Sequence, residues 1–234
     1  MRNQNSIAVI FLSMAALVLA GASSPLLLSP KAIDVIKLLP DPPPPQSEEG
    51  QDEMQEMVQM QRVRSNADEV RIGQEAKFQL TLFDTVLGPH FNAQDCPRAF
   101  ELVLRVQETA DHFCDEGKDH WQRRRPSVVF QEIHPCLPTP RSPSYPSGHA
   151  TVSMACAEAL SVLLPEKRAE LMERGRQIGW DRVIAGVHYP TDVEAGQTLG
   201  HVAAMECMAT PEFKSQVAAA RAELEKIEGA VADH

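Results

Sequence analysis

The chain has 234 residues, 43% hydrophobic and 23% charged, with a formal net charge of −10 and only 5% aromatics. That length suits one well-buried core, and the composition excludes wholesale disorder. The acidic balance argues against a nucleic-acid polymer as partner and gives no general attraction to anionic membranes.

Residues 1–22 read as a secretory signal: Arg2 is the positive start, Ile7 to Ala20 the apolar stretch, and Ala20-Gly21-Ala22 the small-residue cleavage pattern. Fourteen apolar residues fall short of the roughly 20 that a spanning helix needs. The expectation is an exported, periplasmic protein without stable membrane insertion. Residues 23–50 form a proline-rich arm, and Pro42 to Pro45 cannot continue a helix. The body is then residues 51–234.

Residues 47–79 are polar and rich in helix formers. Leu102, Val103, Val106, Ala110 and Phe113 mark one face of a helix over 97–113. Val152, Ala155, Cys156, Ala159, Leu160 and Leu163 repeat that period over 149–164, and residues 166–180 are amphipathic after Pro165. A further helix starts near Pro190 and runs through Met208, followed by a charged one from Pro211 to about Glu228. Alternating β-branched runs are absent, so the fold class is all-α, a single helical domain. Five cysteines follow the signal, and Cys114 with Cys136 is the expected pair. The helical tail and the arm are both candidate surfaces for a homo-oligomer.

Three segments carry chemistry. Lys118 and Arg125 stand seven apart before Pro126, so they share a helix face and can grip one anion. Ser147 precedes Gly148-His149 as a natural helix cap, where free N–H groups favour anions. In the third segment, His188 and Asp192 are four apart, and a carboxylate there can take one imidazole N–H and leave the other nitrogen nucleophilic. His149, His188 and Asp192 could also form a two-His, one-carboxylate metal set. The cations Lys118, Arg125 and Arg182 favour a phosphoryl group instead, with no metal or other cofactor expected.

Together, Lys118…Arg125-Pro126, Pro146-Ser147-Gly148-His149 and Arg182…His188…Asp192 resemble the signature of the type 2 phosphatidic acid phosphatase (PAP2) superfamily. Lys118-Asp-His-Trp, Ser144-Tyr-Pro and Pro211-Glu-Phe extend the resemblance to bacterial class A non-specific acid phosphatases. It implies a helical bundle shared with vanadium haloperoxidases, and hydrolysis of small phosphate monoesters by an acid phosphatase. It also implies Lys118, Arg125, Ser147, Gly148 and Arg182 as phosphate binders, His188 as nucleophile, Asp192 as its orienter and His149 as general acid. Phosphate transfer to other alcohols is a possible side activity; lipid phosphatase and vanadate-dependent haloperoxidase are the alternatives within the superfamily. Asp181 stands where that family usually has Ser, and could either pair with Arg182 or point away. Trp121 or Tyr145 could line the leaving-group side.

Overall fold

The computed structural model describes residues 26–232, so the expected signal at 1–22 lies outside the described residues. Among them the chain is helical: α1 (Val35–Leu38), α2 (Glu48–Val63), α3 (Asn66–Gln74), α4 (Asp84–Leu87), α5 (Pro97–Trp121), α6 (Pro126–Val129), α7 (Gly148–Leu163), α8 (Arg168–Ile184), α9 (Pro190–Ala209) and α10 (Pro211–Ala232). No strand occurs among the described residues.

α5 opens on Pro97, whose missing N–H costs nothing in the first turn. Its apolar face is the one expected, with Leu102, Val103, Val106, Ala110 and Phe113 wholly buried. It stops at Gln122, held in the left-handed region at φ 50°. α7 differs from the expectation of a one-faced helix, because it is buried on nearly all sides between α5, α8 and α9. Its polar residues bond to backbone rather than water: Thr151 Oγ1 donates to Ser147 O (2.9 Å) and Ser153 Oγ to Gly175 O (2.9 Å). Close approach of α9 depends on glycine, since a Cβ at Gly200 would sit 2.2 Å from Thr151 O.

α8 runs four residues beyond the expected end at 180, so Asp181 and Arg182 occupy its last turn. The 47–79 stretch breaks after Val63. Ser65 then caps α3, its Oγ accepting from Asp68 N (3.2 Å).

The proline-rich segment lies against the body. Leu27 N donates to Thr109 Oγ1 (3.0 Å), while Ile33, Val35 and Leu39 are buried. Trp121 Nε1 donates to Asp41 Oδ1 (2.7 Å) and Tyr145 OH to Pro40 O (2.7 Å), and the two rings stack edge-on at 4.9 Å. Trp121 and Tyr145 therefore anchor the arm, and neither lines the leaving-group side. The expected Cys114–Cys136 pair is also corrected, because both thiols are free. Cys114 Sγ is buried and turned to Pro146 O (3.7 Å), whereas Cys136 sits on the loop that donates its N–H to Ala185 O (3.1 Å).

Candidate active site

The ends of α5, α7 and α8 and the loop before α9 meet around a cavity of about 530 Å³. Lys118, Arg125, Gly148, His149, Arg182 and His188 all line it, so three segments up to 70 residues apart reach one place. No carboxylate lines it; Phe78, Leu137 and Pro138 supply an apolar rim.

His188 follows Gly186, whose φ of +78° turns the chain out of α8 and back into α9. Asp192 stands in the first turn of α9 and does two jobs with Oδ2. It accepts the Tyr189 N–H (2.9 Å), capping the helix, and faces His188 Nδ1 at 3.1 Å. The carboxylate can only accept, so Nδ1 carries the proton. On the other side, an Arg125 Nη1 lies 2.7 Å from His188 Nε2. A guanidinium can only donate, so Nε2 presents its lone pair. Both neighbours thus select the same tautomer. Burial, reinforced by the Arg125 charge, lowers the His188 pKa to about 4.

Arg125 is fixed by carbonyls. Its Nε donates to Ser142 O (3.0 Å), Nη1 to Val187 O (2.9 Å) and Nη2 to Pro143 O (3.1 Å). Burial lowers its pKa to about 10, which keeps it cationic at neutral pH. Lys118 comes from the last turn of α5, and its Nζ lies 3.1 Å from where a Cβ on Gly148 would project. Glycine there lets the ammonium reach the first turn of α7, whose N–H groups favour an anion. Ser147 is wholly buried behind that turn, and its Oγ accepts from Ala150 N (3.5 Å) as the helix cap.

His149 and Arg182 converge on the end of α3. Glu75 O accepts from His149 Nε2 (2.9 Å) and from Arg182 Nη1 (3.3 Å). The Glu75 carboxylate also pairs with Arg182 (3.5 Å) and Arg174 (2.8 Å). With Nε2–H committed to a carbonyl, Nδ1 is the nitrogen His149 has for another partner. Burial and the Arg182 charge lower the His149 pKa to about 3. The Asp181 carboxylate points away from Arg182 and binds Arg71 of α3 in a fork, at 2.8 and 2.9 Å.

Several contributors escape sequence reasoning. Arg123 Nη1 donates to Asp192 Oδ1 (2.7 Å), and its Nη2 donates to Glu53 Oε2 (2.7 Å). Glu53 in turn accepts from Thr191 N (3.0 Å) and Thr191 Oγ1 (2.5 Å). Ser144 Oγ donates to Asp192 Oδ2 (2.5 Å). Glu53 and Glu75 had no signal of their own, while Arg123 is hidden in the run Arg123-Arg-Arg125.

Comparison with known proteins agrees with the geometry. The PAP2 superfamily profile matches residues 103–215. The chain is 32% identical over 149 residues to a non-specific acid phosphatase of Salmonella typhi, an alignment covering 61% of this chain. It spans 59% of that relative's length. It is 28% identical over 211 residues to a non-specific acid phosphatase of Providencia stuartii, covering 84% of this chain and 83% of that one. Among solved structures, Aquifex aeolicus LpxE superposes with a TM-score of 0.56 at 19% identity, over 67% of this chain and 94% of that chain. At that identity the likeness speaks for the fold. Three signature segments thus fold into one cavity on a helical bundle, within and around the stretch 103–215 that matches the PAP2 superfamily.

Proposed function

We propose that this chain is an exported acid phosphatase that hydrolyses small phosphate monoesters through a phosphohistidine on His188, without a metal. The observation that carries this reading is the His188 tautomer: Nδ1–H on Asp192 and an Nε2 lone pair facing a cationic, carboxylate-free cavity. The names of the Salmonella and Providencia relatives support the same class of reaction.

In this mechanism Lys118, Arg125, Arg182 and the Gly148 N–H hold the three non-bridging phosphoryl oxygens, with Ser147 fixing the helix start that presents the amide. Arg125 moves its hydrogen bond from Nε2 to a phosphoryl oxygen, which frees the nucleophile as substrate arrives. Nε2 forms the N–P bond as the P–O bond to the alcohol breaks, and Asp192 balances the charge on the imidazolium. His149, protonated at Nδ1, gives that proton to the leaving oxygen. It then takes one from water, whose oxygen attacks phosphorus and breaks the N–P bond to release phosphate. An alcohol in place of water would give transfer. Substrate binding favours the acid: a phosphate dianion offsets the Arg182 charge and raises His149 from its low empty-site value.

The test is rapid acid-free quench of the protein with a radiolabelled aryl phosphate. Wild type should show base-stable, acid-labile label on His188. His188→Ala should show none and lose at least about 10⁴-fold in kcat, as expected for removing a covalent nucleophile. Full turnover by His188→Ala would end the proposal. Hydrolysis of the aryl ester without detergent separates this reading from a lipid phosphatase.

A further inference from the structure

Pro140 and Ser142 form a wall of the catalytic cavity, and the other side of that wall is a second groove of about 520 Å³. Four arginines line it, Arg123, Arg124, Arg125 and Arg141, and no carboxylate does. In a chain of net charge −10 this is an unusual concentration of one sign.

The four are not equivalent. Arg123 is committed to Asp192 and Glu53, and Arg125 is committed to carbonyls and His188. Arg124 and Arg141 are exposed. Arg124 Nη2 donates to Val128 O at 3.3 Å, and among the described residues neither guanidinium pairs with a carboxylate. Elsewhere exposed cations do find acids, as Lys37 does with Asp34 and Arg176 with Glu173. Two unneutralised guanidiniums beside an anion-binding cavity raise the local potential, and planar guanidinium forks match phosphate oxygens.

We propose that this groove is a second anion subsite, and that the enzyme prefers phosphate esters whose alcohol carries another phosphate. The scissile phosphate sits among Lys118, Arg125 and Arg182. The alcohol crosses the rim at Pro140 and Ser142, and its distal phosphate meets Arg124 and Arg141. The proposal rests on the phosphatase reading and adds to it the class of substrate. Because the two arginines are exposed, their contribution is to capture, so it falls on KM rather than kcat and weakens with salt.

The test compares hexyl phosphate with 1,6-hexanediol bisphosphate, in wild type and in the Arg124→Gln/Arg141→Gln double variant, at low and high ionic strength. Two exposed guanidinium–phosphate contacts should raise kcat/KM for the bisphosphate by roughly tenfold at low salt, mainly through KM. The double variant and high salt should each reduce that ratio to about two, the value set by having two scissile ends. Hexyl phosphate should be turned over equally by both proteins. A wild-type ratio of about two with normal hexyl phosphate hydrolysis, or a ratio that survives the double substitution, overturns the subsite alone. Absence of hydrolysis of either ester by wild type overturns the phosphatase reading and the subsite with it.

Discussion

The two histidines of the cavity are held in opposite ways. His188 stands at the end of a chain of alternating charge made of side chains: Asp192, then Arg123, then Glu53, each joined to the next at 2.7–3.1 Å and nearly all buried. His149 rests on a backbone carbonyl, that of Glu75, the residue that caps the C-terminal end of a nine-residue helix. The nucleophile must keep one tautomer and one direction through the reaction, and a cage of fixed charges from α2, α9 and the α5–α6 turn does that. The acid must gain and lose a proton, and one neutral carbonyl leaves its charge free to follow the phosphate. The first arrangement is preorganised, while the second is responsive.

The largest expected effect that would break this contrast comes from Arg123→Met. Removing the cation leaves Glu53 and Asp192 as buried carboxylates facing each other, which should cost about 3–5 kcal/mol of stability. Calorimetry at pH 7 measures it. The surviving activity should also fall, since Asp192 would turn from His188 toward other donors. A variant of wild-type stability would mean that the relay is not a charge cage at all. The Glu53→Gln/Arg123→Met double variant should recover part of the loss, because it removes one of the stranded charges.

Protons sharpen the same comparison from the side of the whole fold. Both histidines have folded pKa values below the ordinary 6.5, about 4 for His188 and about 3 for His149. As pH falls from 6.5 toward 5, the unfolded chain takes up two protons that the folded cavity refuses, so stability must fall. The loss should be about 2–3 kcal/mol over that window, above the range where unfolded carboxylates titrate. Glu75, Asp84, Glu108 and Asp111, whose pKa values burial raises, oppose this as the pH nears 5 and set the loss below the full two-histidine value. Melting temperatures at pH 6.5 and 5 check it, and His149→Gln should remove part of the slope. Activity carries a matching mark: the acid limb of kcat/KM lies near 4, where His188 gains its proton.

What the sequence made readable follows from distance along the chain. His188 and Asp192 lie within one helical turn of each other, so local spacing implies their contact. Gly148 and His149 are likewise a local pair, and helix periodicity places α5 and the entry to α9. Lys118 and Arg125 reach the same cavity, but not from the shared helix face expected: α5 ends at Trp121, Gln122 turns left-handed, and Arg125 stands in extended backbone before α6. Glu53 meets Thr191 from 138 residues away and Glu75 meets Arg182 from 107 away. Both are ordinary acids within polar stretches whose pattern says only that they are helical. The all-round burial of α7 was hidden too, because its serines and threonines read as a polar face until their hydroxyls are seen bonded to carbonyls. Sequence locates charge well when partners are neighbours, and poorly when packing of distant helices creates the partnership.

Asp181 gives the smallest and most specific test. Beside Arg182 in sequence it looks like a competitor for phosphate-binding charge, but a helix turns successive residues about 100° apart, and its carboxylate emerges toward α3. There it binds Arg71 in a fork, at the turn that leads to Glu75. The pair therefore acts on the responsive half of the site, by fixing the helix whose end holds both His149 and Arg182. Asp181→Ser leaves Arg71 half-exposed and still paired with Asp68 at 2.8 Å, so no buried charge is stranded. The stability loss should be small, about 1 kcal/mol. A loosened Glu75 carbonyl should lower kcat by several-fold, through the acid step, and leave phosphohistidine formation with an activated aryl ester almost unchanged. Such an ester has a good leaving group and needs little protonation. An equal loss on both esters would place the effect on Arg182 and phosphate binding, and no loss on either would show that α3 is held without the Asp181–Arg71 pair.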